Sequence, residues 1–231
     1  MWVCLIVITA LIGGIIFVAN RSSVPKKDRK GRLKELTQLV EGRMEEIPGK
    51  RACYRVRFDF EGYAFVFEDL VEQGIENLLN RACLKVSTKA GFSLDFTEKE
   101  RTLRITADVV IMSEIKDAPV VPKIKVVTPP ELGDLEIFTD DPAMVNEFFK
   151  QRKVVKIFKA FQNKDNRGFV FNALRIKDGV VMLEFYANST FQPNLDIFWH
   201  NIYSIEDYAD KLLIIARTMD RLVQERTEDK N

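Results

Sequence analysis

A single histidine, His200, makes up the whole imidazole content of the chain. That excludes histidine-rich metal centres and leaves any Ser-His-Asp scheme one candidate base. Three cysteines in 231 residues are too few for a disulfide scaffold. No Cys-x-x-Cys pair exists to build a zinc ribbon or a thioredoxin-like centre. The 11 glycines fall in neither G-x-x-x-x-G-K-[ST] nor G-x-G-x-x-G order, so both familiar phosphate cradles are missing. Charge of one sign is also missing: 35 Lys and Arg face 34 Asp and Glu, for a net of +1. A nucleic-acid binder held by a basic surface does not fit that balance. No pattern calls for a cofactor or a bound metal.

Apolar and charged residues are both plentiful, at 46% and 30%, which excludes a disordered tail and a polytopic membrane protein. They are segregated. Residues Trp2 to Ala19 run eighteen long without a charge. As a helix they cover about 27 Å, enough for a thin or average hydrocarbon core. A cleaved signal peptide needs a positive leader and a small-x-small site, and here only Met1 precedes the run while Arg21 follows Asn20 at once. The expectation is a retained single-pass anchor with Trp2 and Phe17 as its interfacial aromatics. Ala10 and Gly14 have the small-xxx-small spacing that allows close helix approach.

Behind the anchor stands a basic collar. Arg21, Lys26, Lys27, Arg29, Lys30, Arg32 and Lys34 face the single acid Asp28. Such flanks stay on the cytoplasmic side, which predicts an outside N-terminus and a cytoplasmic main domain at the cell membrane. Arg21, Lys26, Lys27, Arg29 and Lys30 are the candidate lipid-headgroup contacts. From residue 36 onward 28 bases meet 32 acids, so the body carries −4.

Leu33, Leu36, Val40, Met44 and Ile47 recur every three or four residues and predict a one-sided helix ended by Pro48-Gly49. Then the period becomes two. Tyr54, Val56, Phe58 and Phe60 predict a strand, Glu61-Gly62 a turn, and Tyr63, Phe65 and Phe67 the hairpin partner. Leu70, Val71, Ile75, Leu78, Leu79 and Ala82 read as a helical stripe. Phe92, Leu94 and Phe96 read as a strand, with Leu103, Ile105, Val109 and Ile111 as its return. Pro119, Pro122, Pro129 and Pro130 mark an extended connector or edge strand.

Leu135, Ile137 and Thr139 form a short strand, and Asp141 with Pro142 has the form of an N-cap. The stripe from Val145 to Phe161 predicts a helix broken near Lys153 and ended by Asn166 and Gly168. Phe169–Ile176 and Val180–Tyr186 are strands joined by the hairpin signal Asp178-Gly179. Ser204 caps a last helix with the stripe Tyr208, Leu212, Ile215, Met219, Leu222.

The predicted fold is therefore α+β: an N-terminal transmembrane helix, then an antiparallel-sheet domain with helices on one face. The chain divides into an anchor (1–20), a collar with amphipathic helix (21–50) and a first half of hairpin, helix and hairpin (51–118). A proline-rich connector (119–134), a second half of strand, helix, hairpin and helix (135–226) and a polar tail (227–231) complete it.

The block Leu135-Glu136-Ile137-Phe138-Thr139-Asp140-Asp141-Pro142, with the helix and hairpin after it, resembles bacterial membrane-anchored proteins of a family of unknown function. The resemblance spans about residues 130–190. It implies an anchored α+β domain and brings no catalytic residues.

Four constellations invite chemical readings. His200 needs a nucleophile such as Ser189 or Ser204 and an orienting acid such as Asp196 or Asp207 to serve as a base. Glu68, Glu72 and Glu76, four residues apart, offer a hard-cation site with Asp69, or an ordinary solvated helix face. Asp140 and Asp141 are paired carboxylates, although capping already explains Asp141. Cys53 and Cys83 are expected to be free and buried in a cytoplasmic domain, and able to form a disulfide in a reversed topology. Seventeen phenylalanines suit a ring-rich core, or an apolar pocket near the membrane.

Three functional expectations follow. The first is a non-enzymatic module that binds a protein partner or self-associates beside the lipid bilayer. The second is a tethered sensor or carrier with an apolar or lipid-like ligand in a Phe-lined pocket. The third is a hydrolase using His200.

Overall fold

The structure, a computed structural model, describes residues 26–50, 53–71, 80–98, 124–133, 135–164, 170–172, 174–186 and 193–228. The apolar run from Trp2 to Ala19, Arg21, Ser189, Glu72, Glu76 and the return strand at 103–111 lie outside them. Among the described residues no helix is long and apolar enough to cross a membrane. The fold is α+β with antiparallel sheet, and the chain divides into two compact units.

The first unit comprises Met1–Lys85 and Glu184–Asp210. It contains α1 (Lys26–Leu39), β1 (Arg43–Glu46), β2 (Tyr54–Phe60), β3 (Tyr63–Val71) and most of β4 (Asn80–Ser87). Hydrogen-bonded neighbours run β1-β2-β3-β4. The β2–β3 hairpin pairs Phe58 with Phe65 and Val56 with Phe67, so these four share one buried face. Its turn is the expected one, with Glu61 at φ 47° and Gly62 at φ 83°. Positive φ at both central residues matches the right-handed twist of the flanking strands.

Two expectations change in this unit. The first helix stops at Leu39, and the chain reverses through Glu41 at φ 49° and Gly42. Gly42 cannot carry a side chain without conflict, because a Cβ there would lie 2.6 Å from the Arg57 carbonyl oxygen. Val40, Met44 and Ile47 are therefore outside the helix, with Met44 on strand β1. Likewise Leu70 and Val71 close β3, and Ala82 belongs to β4, where Ala82, Leu84 and Val86 alternate inward. The β-branched and aromatic company of these residues outweighed a helical spacing that arose by coincidence.

Rings fill the core of the unit. Phe67 stacks on Phe198 at 5.2 Å and meets Phe185 and Trp199 edge-on at 6.0 and 5.8 Å. Phe198 and Trp199 come from α4 (Leu195–His200), which Asn194 caps by accepting from the Ile197 N–H at 2.9 Å.

The second unit comprises Val86–Leu183 and Lys211–Asn231. Its neighbours run β11-β10-β5-β7-β6, where β5 is Leu94–Glu98, β6 Ile124–Val126, β7 Leu135–Thr139, β10 Leu174–Lys177 and β11 Val180–Tyr186. Each of these pairings is antiparallel. A separate two-stranded ladder joins β8 (Gln162–Lys164) to β9 (Val170–Asn172), so the helix expected to reach Asn166 ends earlier. The Asp178-Gly179 turn forms as expected, at φ 50° and 73°.

The helical stretch expected from Val145, with a break near Lys153, is two helices, α2 (Pro142–Phe149) and α3 (Arg152–Ala160), parted slightly earlier at Lys150 and Gln151. Phe148, Phe149 and Phe158 meet edge-on at 5.2 to 6.0 Å, and Phe92 joins Phe148 at 5.6 Å. Each fully buried ring contributes about 1.5–3 kcal/mol. The last helix, α5 (Ser204–Glu228), runs from one unit's share of the chain into the other's. Leu212, Ile215, Met219 and Leu222 of its expected stripe are buried.

Candidate functional site

The collar enters the fold through α1. Arg29, Leu33 and Leu36 are spaced four and three apart and turn inward together, with both leucines fully buried. Arg29 is 8% exposed and its Nη2 donates to Asp69 Oδ1 at 2.5 Å. Asp69 itself is 1% exposed. On β3 it occupies the slot after Phe65 and Phe67, on the same inward face. Burial pushes the Asp69 carboxyl up to about 6, against the opposing pull of the Arg29 charge and hydrogen bond.

Of the five expected headgroup contacts, Arg29 thus faces the domain interior. Lys30 is exposed and its amine lies 5.3 Å over the Tyr54 ring. The side chains of Lys26 and Lys27 lie outside the described residues, as do Arg21 and the anchor residues Trp2 and Phe17.

Glu68 points to the opposite side of β3 from Asp69, so the two cannot share a cation. It stands within an alternating ladder across four strands. Glu45 on β1 meets Arg55 on β2 at 3.5 Å, Arg55 meets Glu68 at 3.0 Å, and Lys85 on β4 meets Glu68 at 2.6 Å. Arg57 donates a further bond to Glu45 at 2.8 Å. Burial raises the Glu68 carboxyl, but the Lys85 hydrogen bond and the Lys85 and Arg55 charges outweigh it and leave it lowered. Cys83 stands beside this group, its Sγ 3.8 Å from Glu68 Oε2. Cys53 and Cys83 are both buried thiols, and neither forms a disulfide among the described residues. The helical reading of Glu68 therefore gives way to a strand with paired charges.

In the second unit a cleft of about 640 Å³ is lined by Lys89, Phe92, Asp140, Asp141, Met144 and Arg226 among others. Its carboxylates are engaged. Asp141 caps α2 by accepting from the Met144 N–H at 3.1 Å and pairs with Arg226. Asp140 accepts from the Ser93 N–H at 2.8 Å. The two adjacent acids hold a loop and a helix start rather than one another's proton.

His200 ends α4 and is exposed. Its Nδ1 donates to the Asp196 carbonyl at 2.6 Å, and since a carbonyl only accepts, Nε2 is the basic nitrogen. Ser204 Oγ donates to the Asn201 carbonyl at 2.7 Å, so its proton is not directed at His200. Among the described residues no group of three or more His, Cys, Asp or Glu could hold a metal ion.

The fold thus defines an α+β protein in which, among the described residues, Arg29, Glu68, Asp140 and Asp141 brace its own elements. Comparisons with protein-family models, curated proteins and solved structures find no match to this chain. The likeness read in Leu135 to Pro142 gains no support from them.

Proposed function

We propose that the chain is a single-pass membrane protein, with its N-terminus outside and its α+β body on the cytoplasmic side. There it acts as a non-enzymatic module that holds a protein partner or a second copy at the bilayer. The carrying observation is the attachment of the collar to the domain. Only six residues, Asn20 to Pro25, separate the uncharged run from α1, and α1 is fixed by Leu33, Leu36 and the buried Arg29–Asp69 pair. Six residues span at most about 22 Å even when fully extended. A body so closely leashed suits assembly at the membrane surface better than roaming capture.

Two measurements test this. The full chain should resist alkaline carbonate extraction, and protease added outside intact cells should leave residues beyond the collar whole. Release by carbonate or external cleavage of the body would refute the anchoring. Extraction in mild detergent should recover the chain in a complex, and a lone monomer across several detergents would refute the assembly role.

A further inference from the structure

The side of the body that meets the bilayer can be read from α1. Its inward side is set by Arg29, Leu33 and Leu36, all buried. At about 100° per residue, Lys30 stands about 100° from Arg29, Lys34 about 140° and Gln38 about 180°. Lys30, Gly31, Lys34 and Gln38 are all exposed. Lys30 lies at the shoulder, over the Tyr54 ring, while Lys34 lies farther round.

We propose that α1 is a two-faced spacer, packed on the sheet by its inward side and resting on anionic lipid headgroups through Lys30 and Lys34. This rests on the anchored reading above. Two facts select a lipid surface as the occupant. The chain outside α1 reaches its apolar run within six residues, which holds the helix at the interface. The charge also fits: the body from residue 36 carries −4 and is repelled by an anionic leaflet, whereas the collar is attracted to it. Arg29 is withdrawn from that attraction by Asp69, so its side chain fixes the helix while its neighbours face the lipid.

The full chain in nanodiscs of phosphatidylcholine, alone or mixed with phosphatidylglycerol, provides the test. Brief amine acetylation followed by mass spectrometry reads each lysine separately. Lys30 and Lys34 should react about fivefold more slowly in the anionic discs. Lys153 and Lys156, exposed on α3, should react equally in both. About 1 M salt, with a screening length of about 3 Å, should abolish the difference. The variant Lys34→Glu should restore fast acetylation at Lys30. Equal slowing at every lysine, or none at Lys30 and Lys34, overturns the proposal when the chain elutes with the discs. A chain that elutes apart from the discs overturns the anchored reading itself.

Discussion

Replacing Arg29 by Met is the most informative single perturbation of this fold. The pair it breaks is almost wholly removed from water, with Arg29 at 8% and Asp69 at 1% exposure. Removing Arg29 leaves a buried, uncompensated carboxylate, which costs about 3–5 kcal/mol. Removing both charges together is different, since apolar replacement of a buried pair is often neutral or stabilising. The expected pattern is therefore strongly non-additive: Arg29→Met alone is severe, and Arg29→Met with Asp69→Leu stays near the parent. Urea unfolding of the full chain in detergent micelles, followed by far-UV circular dichroism, measures both.

The pH profile supplies an independent arm. The folded carboxyl titrates at about 6 against an ordinary 3.8, so the fold favours its protonated form. Its contribution to stability is full below the unfolded value and is lost as pH rises through about 6. At about 1.4 kcal/mol per pH unit, that interval amounts to about 3 kcal/mol. Asp69→Asn should erase this slope. An Arg29→Met variant within about 1 kcal/mol of the parent near pH 7, or an Asp69→Asn variant that keeps the slope between about pH 4 and 6, would refute the burial reasoning.

Three further outcomes follow from the geometry. Asp141→Ala removes the α2 cap and the Arg226 pair and should cost about 0.5–2 kcal/mol in urea unfolding, whereas Asp141→Asn keeps the cap acceptor and should cost less. Gly179→Ala should destabilise more than Gly62→Ala in thermal melts: both sit at positive φ, but only at Gly179 would a Cβ meet a backbone oxygen, that of Ala90, at 2.9 Å. Glu68→Gln removes the centre of the four-strand ladder and should cost about 1.5–3 kcal/mol. Because the Glu68 carboxyl is lowered, its contribution is present above the ordinary value of 4.5 and is lost as pH falls through the lowered one. The variant should lose that part of the acid-side decline, as an acid titration would record.

Local chemistry made the hairpins legible. Alternation at Tyr54 to Phe60, the Glu61-Gly62 turn, Asp178-Gly179 and the Asp141-Pro142 cap each act within a few residues, and each forms where its residues require. The end of α1 was less legible: Glu41, not a glycine, takes φ 49° there, and the coincidental spacing of Val40, Met44 and Ile47 masked the stop. Strand β4 carried its own signal in Ala82, Leu84 and Val86. The Arg29–Asp69 pair was harder to foresee. Asp69 falls in register with Phe65 and Phe67, which marks it as inward, yet nothing in the sequence names a partner forty residues away. Long-range pairing follows from tertiary packing, which local periodicity does not encode.

Trp199 turns the aromatic core into an optical probe. Its indole is 2% exposed and enclosed by Phe67 and Phe198, and among the described residues its Nε1 has no hydrogen-bond partner. Emission from such a buried indole should lie well to the blue, and a rigid cage of rings should give sharp near-ultraviolet dichroism. Loosening of that cage on partner capture would therefore be visible without any added label, once Trp2 is replaced by Phe to silence the second indole.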